Sequence, residues 1–184
     1  MLPATLHAGN GVLGEVELVG ASKVENSSGV WVDGQYVGYL NELKGSKKLL
    51  LLPGEHEITV RQGGYLDFSQ KVLVQAGKKQ SLEVRMAKDT RITLPKITAE
   101  IKLDVKPNRA AVFVDGVYTG HISEFEGLGR ALLVAPGRHK VLITLPGYQN
   151  FETEIELAAK QKSVIKTSLV KGGSAEGTAL RPPQ

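Results

Sequence analysis

The chain of 184 residues contains no cysteine. Disulfide staples, thiolate zinc centres and cysteine nucleophiles are thereby excluded. Aromatics are scarce, at 5% of residues, a profile that with the high glycine content fits many turns and short strands better than long helices. No apolar run reaches the roughly 18 residues that a membrane-spanning helix needs. The opening residues, MLPATLHAGNG, have no basic stretch followed by an apolar one and so do not read as a signal peptide. Either the protein is cytoplasmic, or a leader lies outside this stretch of chain. A dominant charge is lacking too: 23 Lys and Arg stand against 19 Asp and Glu, for a net +4. Lys and Glu alternate along the same segments, which reads as a solvated surface and not as the clustered basic stripe of a nucleic-acid binder.

Catalytic signatures are missing as well. No GxSxG elbow and no Walker loop occurs. No residue is assigned a catalytic, metal-binding or cofactor-binding role, and the expectation is a protein that is not an enzyme.

Turn formers are abundant, with 21 Gly and 8 Pro. They punctuate a repeat. WVDGQYVG at 31–38 returns as FVDGVYTG at 113–120. The register continues through Pro53-Gly54 and Pro136-Gly137, then Gly64-Tyr65 and Gly147-Tyr148, then Phe68 and Phe151. One inserted residue separates the first pair of landmarks from the second. A whole folding unit is therefore duplicated.

Within the second copy, Ile101, Leu103 and Val105 alternate with polar residues, as do Val141, Ile143 and Leu145, and Phe151, Ile155 and Leu157. Period-2 alternation marks strands with one buried face. Asp115-Gly116 and Asp33-Gly34 are two-residue hairpin signals, because a type I′ turn requires positive φ. Gly54, Gly64, Gly137 and Gly147, with Pro53 and Pro136, are further turn positions. About seven short strands per copy predict an all-β fold of two tandem small antiparallel β-sandwich (Ig-like) domains. The boundaries are an N-terminal segment 1–13, a first domain 14–86, a linker 87–98, a second domain 99–169 and a flexible tail 170–184. Ala21–Ser28 reads as a longer loop within the first domain.

Several residues invite a chemical reading. His56 and His139 recur in PGEH and PGRH, but one His per domain without Cys makes a poor metal site. Their strand parity predicts a core-facing ring with one nitrogen bonded to a loop carbonyl. Asp33 and Asp115 are accounted for by the hairpin, since Asp tolerates the left-handed region and bonds local backbone. Glu152, Glu154 and Glu156 line one strand face opposite an apolar one, and the first copy does not share the row, so they read as a solvated face.

Trp31 and Phe113 differ. Each lies between two valines, VWV and VFV. If the valines face the core, the rings point outward at the same place in both copies, with Tyr36 and Tyr118 close by on the return strands. These four residues form a candidate binding surface, able to pack on a neighbouring domain, a partner or a sugar ring. The alternative is a central strand covered on both sides by the chain's own loops. The loops Tyr39–Lys48 and His121–Arg130 differ between the copies, one basic and one mostly acidic, as recognition loops on a shared scaffold do.

The order of PNRAAVFVDG, a short-strand Gly, LLVAPGRHKVLI, Gly-Tyr and two closing strands resembles the PEGA domain of bacteria and archaea. The four letters of that motif read PGEH and PGRH here. The resemblance spans roughly residues 14–86 and 99–169. It implies a surface-layer-like, non-catalytic module outside the cytoplasm, periplasmic or at the cell surface. The partner so implied is an envelope protein or a cell-surface glycan. The alternative expectation is a subunit of a larger surface assembly that self-associates through exposed strand edges. Domains this small are marginal alone, so contact between the copies is expected to help.

Overall fold

A computed structural model describes residues 12–93 and 95–172. The first eleven residues and 173–184, most of the expected tail, lie outside the described part. Among the described residues, fourteen strands form in two runs of seven. The first run is β1 (Gly14–Gly20), β2 (Gly29–Val32), β3 (Gln35–Tyr39), β4 (Leu49–Leu51), β5 (Gly54–Arg61), β6 (Phe68–Val74) and β7 (Lys79–Val84). The second is β8 (Ala99–Lys106), β9 (Ala111–Val114), β10 (Val117–His121), β11 (Leu132–Val134), β12 (Gly137–Thr144), β13 (Phe151–Leu157) and β14 (Lys162–Ser168). Two short helices interrupt them, α1 (Lys23–Ser27) and α2 (Ile122–Phe125).

Each unit is a two-layer sandwich. A three-stranded sheet, β4-β1-β7 or β11-β8-β14, faces a four-stranded sheet, β3-β2-β5-β6 or β10-β9-β12-β13. The sheets are mostly antiparallel, as the alternation predicts, but not wholly so. The first and last strands of each unit, β1 with β7 and β8 with β14, run parallel. No hairpin can join such a pair. The parallel pairing ties the start of each unit to its end, a long-range contact that local periodicity does not encode.

Alternation sets the core. In β8 every second residue is buried, Ala99, Ile101, Leu103 and Val105. The first core gathers Val16, Leu18, Val30, Val32, Leu40, Ile58 and Val60, all aliphatic. The second gathers Ile101, Leu103, Val112, Ile122, Val141 and Ile143 among others, and is continuous with a group of rings that includes Trp31 and Tyr36 of the first unit.

Each unit also straps its exit to its Gly-Tyr turn. Leu66 donates its N–H to the Ala87 carbonyl and Asp89 to that of Gly64, at 2.8 and 3.0 Å. In the second unit Gln149 donates to Val170 and Gly172 to Gly147. Val170–Gly172, placed in the tail on sequence grounds, is thus held to the second sandwich.

Candidate functional site

The repeated VDG stretch builds a closed local device. Asp33 and Gly34 have φ of 50° and 81°, and Asp115 and Gly116 have 51° and 81°. Both residues of each turn lie in the left-handed region, as a type I′ hairpin requires. The Asp side chain then reaches the neighbouring strand. Asp33 Oδ1 accepts the Glu57 N–H at 2.9 Å, and Asp115 Oδ1 accepts that of Lys140 at 2.8 Å. The second oxygen lies 2.6 Å from His56 Nδ1, or 2.7 Å from His139 Nδ1. The far ring nitrogens sit 2.9 Å from the Leu52 carbonyl and 2.7 Å from the Ala135 carbonyl.

The expected loop-carbonyl bond is therefore present, but the expected core position of His56 and His139 is corrected. Both rings are half-buried at the strand start, held outside the apolar cores by Asp on one side and a turn carbonyl on the other. The physical reason is that a ring with two bonded nitrogens is better placed at the polar rim, where both partners exist. The Asp33 bond, helped by the Leu52 carbonyl, raises the His56 pKa above its ordinary value. Burial works against the same rise at His139, yet the Asp115 bond and the Ala135 carbonyl carry it upward too. The Asp carboxyls are shifted down, Asp33 chiefly by its His56 bond and Asp115 by His139 and the Lys140 N–H against the opposing effect of burial. This is a turn clamp, made twice.

The four rings proposed as a binding surface do come together, but facing one another. Trp31, Tyr36, Phe113 and Tyr118 are only 5–6% exposed. Their open-surface placement is thus corrected: β2 and β9 are covered on the inside by their own sandwich and on the outside by the other unit. Trp31 meets Tyr118 edge-on at 4.9 Å between centroids and Phe113 at 6.3 Å. Within each unit Trp31 leans on Tyr36 at 5.1 Å and Phe113 on Tyr118 at 5.6 Å. The Arg61 guanidinium lies 4.9 Å from the Trp31 ring centroid, a cation–π contact. Of the readings open from sequence, packing on a neighbouring domain is the one seen.

Polar contacts frame the rings. The Tyr36 hydroxyl donates to the Arg109 carbonyl at 3.1 Å, and Arg109 donates to the Val37 carbonyl at 3.2 Å. Arg109 Nε also lies 3.0 Å from Glu42 Oε1. Gln62 donates to Glu124 Oε2 at 3.1 Å. Tyr39 stacks flat on His121, centroids 4.1 Å apart and planes 7° from parallel. Burial pushes the Tyr36 and Tyr118 hydroxyls well above the usual phenol range, so both stay protonated. Arg61, Gln62 and Arg109 were not singled out from sequence, and Tyr39 and His121 only as the first residues of the two differing loops. The signal available was their placement beside the VDG hairpin in each copy, but nothing in one strand's pattern says which strand it will meet.

Gly29 shows how close the approach is. A Cβ there would stand 2.6 Å from the Tyr118 hydroxyl and 2.9 Å from the Trp31 ring. The matching residue of the second unit is Ala111.

Among the described residues no group of three or more His, Asp or Glu is placed to hold a metal ion. None of the helices is long and apolar enough to cross a membrane. The acidic row Glu152, Glu154 and Glu156 lies exposed on β13. Lys140 pairs with Glu152 at 2.8 Å, as cross-strand neighbours do on a solvated face.

Two stretches of the chain, residues 17–90 and 98–172, match the model of the PEGA domain. No curated protein gives a match. Among solved structures, the Bacillus anthracis TIE protein is 14% identical, with 86% of this chain and 34% of that one aligned, at a TM-score of 0.30. A streptococcal ancillary pilin is also 14% identical, over 88% of this chain and 63% of its own, at a TM-score of 0.29. The chain spans less than two thirds of the length of either.

Proposed function

The chain belongs to the PEGA domain family, twice over along its length, and on that premise we propose that it is a non-catalytic, extracytoplasmic module of the cell envelope that binds an envelope protein or cell-surface glycan and sets its spacing. The observation that carries this reading is the buried ring seam. Aromatic faces that could have been left open as ligand platforms are spent on joining the two units, so the pair works as one preformed body. The repeated Asp–His pairs serve the same end, fixing turns and not activating a nucleophile. Contact with a partner then falls to the loops that differ between the units. One is the Leu40–Lys48 segment with Lys44, Lys47 and Lys48; the other is Glu126–Arg130, where Leu128 is fully exposed.

Fractionation of the source cells tests the address: recovery with the envelope is expected, and recovery in the cytosol alone would sink the reading. Co-sedimentation of the purified chain with isolated envelope polymer tests the ligand. Pelleting that weakens when Leu128 is changed to Ser supports a glycan contact through the loop. Failure to pellet moves the partner to an envelope protein.

A second reading has its own support. Leu73 on the edge strand β6 and Val164 on the edge strand β14 are 64% and 61% exposed, and exposed apolar edges favour strand-to-strand association. Light scattering over a range of concentrations tests it, with a rising mass expected.

A further inference from the structure

The seam between the units is built like the interface of a symmetric dimer. With the repeat in register, Trp31 corresponds to Phe113, and these two rings meet. Tyr39 corresponds to His121, and these two rings stack. Contact between each residue and its own equivalent is the mark of an isologous, self-complementary patch. Both units present it on the same strand pair, β2–β3 and β9–β10.

The seam is also less finished than the cores. Three buried side-chain atoms at this junction, Glu42 Oε2, Gln62 Oε1 and Tyr118 Oη, have no hydrogen-bond partner among the described residues. An unpaired buried polar atom costs free energy that solvation on opening returns. The ring contacts hold the units together while these atoms favour separation. The connecting chain permits an exchange. Beyond the strap at Asp89, nine residues, 90–98, precede β8, enough to reach about 30 Å if extended.

We propose that this ring-bearing face is a docking surface for a second copy of the chain, the first unit of one molecule seating on the second unit of another in place of its own. The exchange uses a sheet face and leaves the strand edges untouched, so it is independent of the envelope address and of edge pairing. It gives closed dimers when two chains exchange mutually and longer strings when they do not.

The test refolds an equimolar mixture of isotope-labelled and unlabelled full-length chain at high protein concentration and weighs the products by native mass spectrometry. A dimer of mixed label is expected, with an unchanged population in Leu73→Lys and in Val164→Lys, which alter the exposed strand edges and leave the ring seam intact. A chain with residues 92–96 removed should shift further towards dimer, because pairing within one molecule is then hindered. The single Trp31 should keep a buried-type emission in that dimer. Only monomers from wild type overturn the proposal. So does a dimer lost in both edge variants, which would place association at the strand edges, and so does a shortened chain that is wholly monomeric.

Discussion

Between β1 and β2 the first unit spends eight residues, Ala21–Ser28, whereas between β8 and β9 the second crosses in four, Pro107–Ala110. The longer crossing has more backbone to satisfy, and it does so with a charge. Ser22 caps α1, its hydroxyl accepting the Val24 N–H at 3.1 Å and donating to Glu25 Oε2. Glu25 in turn accepts the Ser22 N–H at 2.9 Å and the Met86 N–H at 3.1 Å. The Ser22 bond, with the Met86 amide and against the effect of burial, takes the Glu25 pKa down to about 2. The shorter crossing is held by backbone bonds, the Ala110 N–H to the Pro107 carbonyl at 3.2 Å and the Ser123 N–H to the Asn108 carbonyl at 2.9 Å. Two copies of one frame thus acquire different weaknesses, because the frame fixes the strands and leaves each loop to satisfy its own backbone.

The cores differ in a parallel way: the first is closed and aliphatic, the second runs on into the rings of the seam. The largest test of that contrast pairs Ile143→Ala with Ile58→Ala, both fully buried. Each should cost about 2–5 kcal/mol. Only Ile143→Ala should also shift the Trp31 emission before the main unfolding step, since its cluster includes that ring. Equal shifts in a fluorescence-monitored melt would erase the distinction. Trp31→Ala comes next, at about 3 kcal/mol. It should split a joint melt into two steps, read for each unit by hydrogen exchange. Gly29→Ala sharpens the asymmetry of the seam. The added methyl meets Tyr118 and Trp31, so a loss of about 1–3 kcal/mol is expected from overpacking, checked by denaturant titration.

Glu25→Ala should cost about 1 kcal/mol and only in the first unit. A carboxyl whose folded pKa is depressed stabilises above its unfolded value and loses that contribution as pH falls through the folded one. For Glu25 the loss runs from about pH 4 down to about pH 2. Hydrogen exchange during acid titration should show β1, β2 and α1 opening before the second unit, and the Ala variant should remove the difference. The smallest effect is shared by both units. His56→Ala and His139→Ala should each cost about 1 kcal/mol or less, because the Asp partners are half exposed. Each raised His stabilises fully below about pH 6.5 and loses its contribution as pH rises through its folded value. Each lowered Asp contributes above about pH 4 and loses it on further acidification. The clamps are therefore strongest between about pH 4 and pH 6.5. Urea midpoints should fall as pH rises above about 6.5 in wild type, and stay flat in the double variant.

Much of this was legible in the residues. Alternation in Ile101–Val105 and Val141–Leu145 named both strands and core faces, and Asp-Gly named the hairpins, because side-chain parity and positive φ are local constraints. The His clamps were half legible: recurrence in PGEH and PGRH marked the rings as structural, but parity alone placed them in the core. Their Asp partners come from a hairpin turn 23 or 24 residues away. Trp31, Tyr36, Phe113 and Tyr118 were grouped as a candidate binding surface, and they do lie together, but buried between the units. Which surface they face was not readable, since parity gives direction and says nothing of what lies there.

The sequence by itself determined the duplication, the strands, the turns and the two inward faces, all consequences of spacing along the chain. The tertiary structure alone decided the parallel closure of each sandwich and the burial of the rings between the units. Those contacts join residues dozens of positions apart, and they exist only once both sandwiches have folded and their outer faces can exclude water from each other.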